Sequence, residues 1–256
     1  MRRVKNGIWS VVVLLLVIAL WELIVRVSNV EDYVLPPPTS IVDEIIESSP
    51  GQLIPAAWVT LQEVLAGFAL GTVVGVLLAL VVTHSVWVRR ALEPLIVASQ
   101  TVPIIAIAPL FIIWFGFGVT PKILMVSIIT FFPVAINTMA GLSAVEHETV
   151  SLMRALSASR LQILLKVRIP SALPFFFTGL KQAAVLSVIG AIAGEWVGAT
   201  EGLGPLMLGA QAAFRTTLVF AAIVYLAAIG IVMFLLVSAL ERAVIPWYYL
   251  TRSSRR

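Results

Sequence analysis

Apolar runs of about twenty residues recur along this chain, and no other feature restricts its fold so tightly. At ~1.5 Å of rise per residue, each run as a helix crosses a hydrocarbon core of ~30 Å. Charged residues make up 12% of the 256, about half the share of a soluble domain. The chain therefore reads as an all-α polytopic membrane protein. Six transmembrane helices are expected at about 8–27, 57–82, 94–115, 122–142, 174–198 and 218–245.

The N-terminal Met1-Arg-Arg-Val-Lys5 and the run after it have the outline of a secretory signal. The run is too long and lacks a small-x-small cleavage site, so it reads as a retained first span. Between the first two spans, Glu31, Asp32, Asp43, Glu44 and Glu47 occur with no Lys or Arg. Ser40 with Asp43 three residues on predicts the start of a short surface helix, which Pro50-Gly51 ends. An even number of spans puts both termini on one side, and the basic residues decide which. Fourteen fall on the side of the termini: Arg2, Arg3, Lys5, Arg89, Arg90, Arg154, Arg160, Lys166, Arg168, Lys181, Arg242, Arg252, Arg255 and Arg256. Only Arg26, Lys122 and Arg215 fall opposite, so both termini are expected in the cytoplasm. The same placement explains the pI of 9.8 without nucleic acid. No internal repeat divides the spans, and residues 1–256 read as one transmembrane domain.

The longest cytoplasmic loop, about 143–173, carries the densest punctuation. Glu146 to Leu156 can form one helix. Ser159 caps a second, with Gln162 at the N3 position of a capping box. Leu161, Leu164 and Leu165 share one face, while Arg160 and Lys166 lie off it. Pro170 is expected to stop this helix and Pro174 to open the next span. Periodicity alone fits a basic amphipathic helix lying on anionic lipid.

The order Ala158-Ser-Arg160, Gln162, Ile169-Pro170, Ala172-Leu-Pro174 and Gly179-Leu180 resembles the cytoplasmic EAA loop of ABC-importer permeases. Pro103 to Gly118, Phe131-Phe-Pro133 with Asn137-Thr138, and Gly194 to Gly204 resemble the nitrate, sulfonate and taurine branch of that family. They look nearest to its thiamine-precursor (hydroxymethylpyrimidine) and riboflavin subgroup. The resemblance implies a type I ABC-importer permease fold in a bacterial inner membrane. Implied partners are a cytoplasmic ABC ATPase dimer, a periplasmic or lipid-anchored solute-binding protein and a second permease copy. It implies that Ser151, Arg154, Ser157, Ala158, Ser159, Arg160, Gln162, Leu164, Lys166 and Pro170 belong to a coupling loop docking on the ATPase. It also implies that Pro103, Pro109, Trp114, Gly194, Glu195, Trp196, Gly198 and Gly204 lie along or gate the translocation pathway. The expected cargo is an aromatic heterocycle, with aliphatic sulfonate, taurine or nitrate as the alternative. Two departures stand out. The family's Glu-Ala-Ala falls on Ser151-Leu152-Met153, and its loop glycine falls on Ser157. A serine there costs roughly 1 kcal/mol if the backbone keeps φ > 0.

No G-x-x-x-x-G-K-[ST] loop occurs, so no nucleotide site is expected in this chain. ATP and Mg belong to the partner ATPase, and no cofactor, metal or catalytic residue is assigned. His84 and His147 are the only histidines and read as solvated loop residues, and cysteine is absent. Gly67, Gly71, Gly75 and Ala79 form a small-residue stripe for close helix packing, while Gly190, Gly194 and Gly198 of span five favour the pathway reading that the resemblance implies for spans three to five. Pro103 and Pro109 are expected to bend span three. Glu195 is either a pathway or gating acid or, beside Trp196, an interfacial anchor. Thr60 and Glu63 fit a capping box at the start of span two, and Lys181 is expected to snorkel to the cytoplasmic surface. Two other classes of function stay open at this point. A secondary transporter acting alone needs ionisable relays or repeated halves, and a membrane scaffold needs no pathway.

Overall fold

A computed structural model describes residues 2–84, 86–99 and 101–248. Arg252, Arg255 and Arg256 lie outside the described residues, as do the side chains of Arg2, Arg3, Lys5, His84 and Arg89. The described elements are all helical. In order they are α1 (Arg2–Val27), α2 (Pro38–Ser48), α3 (Ile54–His84), α4 (Val86–Ser99), α5 (Ile104–Phe115) and α6 (Val119–Ser143). There follow α7 (His147–Ala155), α8 (Arg160–Ile163), α9 (Ile169–Glu195), α10 (Leu203–Ala212) and α11 (Thr216–Val244). Among the described residues, Pro38–Thr83, Val119–Ser143, Arg160–Glu195 and Thr216–Val244 are continuous helical stretches long and apolar enough to span a membrane.

Three expected boundaries are corrected. The third predicted span is not one helix, because α4 ends at Ser99 and α5 starts after Pro103. Pro103 has no N–H to continue a helix, and it sits extended (ψ 104°) as the N-cap of α5. Pro109 and Pro94, by contrast, lie inside α5 and α4. The short polar helix starts at Pro38 rather than Ser40, led by prolines whose missing N–H groups fall where a helix leaves donors unused. Pro50-Gly51 do not end it. They lie in a π-turn, Ser49–Leu53, that joins α2 to α3, so no capping box forms at Thr60.

The chain divides into two compact units. The first contains residues 1–59 and 200–227. Here Glu22 of α1 pairs with Arg26 (2.5 Å) and accepts the Thr39 backbone N–H (3.1 Å), supplying α2 with the cap its own N-terminus lacks. Arg215 pairs with Glu44 (2.8 Å), and Thr216 donates to the Tyr33 carbonyl (2.6 Å). Ser49 shares a hydrogen bond with Tyr225 (2.7 Å), and Trp21 packs on Phe220.

The second unit contains residues 60–199 and 228–256 and is organised on α6. The Gly67, Gly71 and Gly75 stripe of α3 lies on one side of α6. A Cβ at Gly67 would overlap Val126, one at Gly71 would overlap Thr130 and Ser127, and one at Gly75 would press on Phe131 and Val134. On the α9 side, a Cβ at Gly190 would stand 2.9 Å from the Val126 Cα, and one at Gly194 3.1 Å from the Lys122 Cα. Gly141 of α6 returns the favour, admitting Ala172 and Phe175. With lipid as solvent no hydrophobic force pushes helices together, so such close van der Waals contact carries the association. A further apolar cluster, built on Ala79, Val82, Ile96, Met139, Leu142 and Ala172, also receives Leu164 and Ile169.

Gly71→Ala is expected to lower stability by about 1–3 kcal/mol through overpacking. Gly209→Ala, whose Cβ meets open space in α10, should leave stability unchanged or raise it. Thermal unfolding of the detergent-purified chain checks both.

Candidate functional site

The punctuated loop is built from local capping chemistry. Helix α7 ends in a Schellman turn, in which Ala158 donates its N–H to the Met153 carbonyl and Ser157 to that of Arg154, both at 2.9 Å. Ser157 has φ 60°, so the backbone keeps the left-handed turn in which a glycine was expected. The α10 C-terminus closes the same way on Phe214, and α1 ends on a left-handed Asn29 with the Val30 N–H bonded to the Val25 carbonyl. Two residues past Ser157, the capping box at α8 forms as the sequence predicts. Gln162 N–H donates to Ser159 Oγ (3.2 Å), and Ser159 N–H donates to Gln162 Oε1 (2.8 Å).

Pro170 does not stop this helix, which corrects the expectation from the sequence. A π-turn over Leu164–Arg168 carries α8 into α9, with the Ile169 N–H bonded to the Leu164 carbonyl. Widening the turn by one residue lets the Pro170 ring avoid the carbonyl it would strike in an α-helix. Pro174 then lies inside α9 rather than at its start. The capped segment and the following long apolar helix are thus one helical rod, Arg160–Glu195. Ile163 is buried and Leu164 packs inward, while Leu152, Leu156, Leu161 and Leu165 are exposed. Ser151, Arg154, Arg160, Gln162 and Lys166 are exposed beside them, with Ala158 half-buried. Four exposed leucines thus interleave with three bases along this segment.

A second constellation was not read from the sequence. Glu63 of α3 and Lys122 of α6 form an ion pair at 2.6 Å, and Thr60 donates to Glu195 Oε1 of α9 at 2.6 Å. Glu63 also faces the Glu195 carboxyl, so two acids and one base share the site. All four side chains are buried, with relative exposure from 0% for Thr60 to 7% for Lys122. Ionised groups away from water hold only when paired, so the cluster ties α3, α6 and α9 together. The sequence places Lys122 at an outer span end, and the Thr60-x-x-Glu63 spacing imitates a capping box. The available signal was three ionisable residues inside apolar runs. Lys181, expected to snorkel, pairs its Nζ with Glu241 of α11 at 2.5 Å.

Trp114 is exposed near the end of α5 and packs on Phe111. Glu195 is inaccessible, whereas Trp196 is half-exposed. Gly198 has φ 131° with Phe117 and Ile112 against it, and Gly204 is buried in α10.

Residues 71–246 match the family described as binding-protein-dependent transport system inner membrane component. The chain belongs to that family. The permease is 37% identical over 96% of its length to the formylaminopyrimidine transport permease protein ThiX of Halalkalibacterium halodurans, covering 98% of that protein. It is 35% identical to the riboflavin transport system permease protein RibX of Chloroflexus aurantiacus, over 92% of this chain and 88% of that one. With the taurine transport system permease protein TauC of Escherichia coli it shares 31% identity, covering 96% and 91%. Among solved structures, the inward-facing MetNI methionine ABC transporter superposes with a TM-score of 0.66 at 20% identity, over 77% of this chain and 98% of that one, which shows the common fold. The permease is therefore an ABC-importer membrane subunit, and the relatives are transport subunits rather than enzymes. Membership implies binding-protein and ATPase partners.

Two outcomes test the geometry. Ser157→Gly should stabilise by roughly 1 kcal/mol by relieving a left-handed serine, read as a higher unfolding midpoint. Lys122→Met should cost about 3–5 kcal/mol, and the double variant Lys122→Met with Glu63→Leu should recover part of it, because an unpaired buried charge is worse than none.

Proposed function

We propose that the permease carries a flat aromatic heterocycle, of the thiamine-precursor (hydroxymethylpyrimidine) or riboflavin kind, into the cell. Two copies form the pathway in the inner membrane, with both termini cytoplasmic. The observation that carries the substrate reading is near-full-length similarity to proteins named for formylaminopyrimidine and riboflavin transport, at 37% and 35% identity. Relatives named for aliphatic sulfonates and taurine stand at 32% and 31%, which makes those solutes the alternative.

In this reading a solute-binding protein delivers cargo at the outer face. The loop from Ser151 to Pro170 docks on the ATPase, which alone holds ATP and Mg. The exposed Leu161, Leu165, Arg160 and Lys166 supply the contact, and the capping box sets its angle. The continuous helical stretch Arg160–Glu195 supports direct transmission, because α8 and Glu195 lie on one helical rod with no loop between them. Pro103, Pro109, Trp114, Gly194, Trp196, Gly198 and Gly204 then line or gate the route, and Glu195 reports the push at its far end.

Arg160→Glu combined with Leu161→Asp should lower ATPase copurification by about tenfold or more while the permease stays monodisperse. Copurification at wild-type level would sink the docking assignment. For cargo, uptake of radiolabelled hydroxymethylpyrimidine by the reconstituted transporter is expected, and uptake of taurine or nitrate in its place would reverse the substrate reading.

A further inference from the structure

We infer that the cleft framed by α5, α6 and α9 is a solute-recognition site for an uncharged, flat heterocycle that carries a ring-nitrogen acceptor beside an amino donor. The inference rests on the importer reading above and adds which residues meet the cargo. The cleft has a volume of about 700 Å³. That is within the range of small-molecule sites, which are mostly apolar with a few placed polar groups. Ile104, Ile107, Ile128 and Phe132 supply apolar walls, and among the described residues the polar side chains on the lining are Asn137 and Gln182.

Those two amides are arranged rather than scattered. Asn137 Nδ2 donates to the Pro133 carbonyl at 2.8 Å and to Gln182 Oε1 at 3.3 Å. The first bond holds the Asn137 amide in place, and the second occupies the Gln182 carbonyl. The Asn137 Oδ1 acceptor and the Gln182 N–H donors take part in neither bond and are what these two amides offer a ligand. An aminopyrimidine edge offers the matching order, an amino donor next to a ring-nitrogen acceptor. Gly179 makes the pairing possible. A Cβ there would overlap the Pro133 carbonyl and stand 2.9 Å from the Asn137 Cβ, holding α9 away.

Charge narrows the class further. Among the described residues none on the lining is ionisable, and Lys181, next to Gln182 in sequence, is turned to Glu241 at 2.5 Å. A sulfonate or nitrate entering this cleft would give up hydration without a counter-charge. A neutral ring gives up far less and keeps its two hydrogen bonds.

The test uses the complete transporter, permease with ATPase and binding protein, in proteoliposomes. The probes are radiolabelled amino-hydroxymethylpyrimidine and taurine. Gln182→Leu and the near-isosteric Gln182→Glu each remove the donor pair and should lower pyrimidine uptake about tenfold. Leu186→Trp, which fills the cleft from α9, should do the same by exclusion. Size-exclusion profile and ATPase copurification report folding of each variant. Pyrimidine uptake at wild-type level in all three variants overturns the cleft while leaving the heterocycle importer standing. Taurine uptake by the wild-type protein without pyrimidine uptake overturns the substrate reading and this inference with it.

Discussion

The approach of α6 to small-residue faces on both α3 and α9 is the contact on which the second unit depends. In lipid, apolar side chains gain little by leaving one hydrocarbon surroundings for another. Association then rests on how closely backbones can come, and glycine sets that limit. Gly67 and Gly71 bring α3 against Val126 and Thr130, while Gly190 and Gly194 bring α9 against Val126 and Lys122. Two helices gripping the same stretch of α6 leave it little freedom to slide past either alone.

That closeness also makes the buried charges tolerable. Lys122 reaches Glu63 at 2.6 Å because the α3 backbone stands near enough, and Glu195 enters the same cluster from α9. An ammonium among apolar helices is stable only with a partner in contact. Packing and pairing therefore support each other, and the cluster marks the register of three helices. At the other end of α9, the capping box and the π-turn at Leu164–Arg168 give the loop a fixed attachment to the same helix. One rod links the exposed leucines to the buried acid.

Much of this was legible from residue order. The class followed from the length of the apolar runs, and the capping box followed from Ser159 and Gln162, because both are chemistry between near neighbours. The small-residue stripe on α3 was legible for the same reason, since four-residue spacing fixes one helix face. Proline was read less well. The sequence marks where a donor is missing, but the chain can answer with a break, as at Pro103, or with a widened turn, as at Pro50 and Pro170. Which answer is taken depends on what packs around the free carbonyls. The departure at Ser157 was visible in the sequence, yet only φ 60° shows that the turn was kept and the side chain changed.

By itself, then, the sequence determined an all-helical membrane chain, the small faces on its helices and the capped loop between α6 and α9. These depend on composition and on spacings of three or four residues. The tertiary structure decided the partners across long separations. It paired Lys122 with Glu63, Thr60 with Glu195, Lys181 with Glu241 and Asn137 with Gln182. Each of these joins residues forty-five or more positions apart. No local periodicity encodes such a pairing. It exists only once glycine faces have let the helices close to within reach of a hydrogen bond.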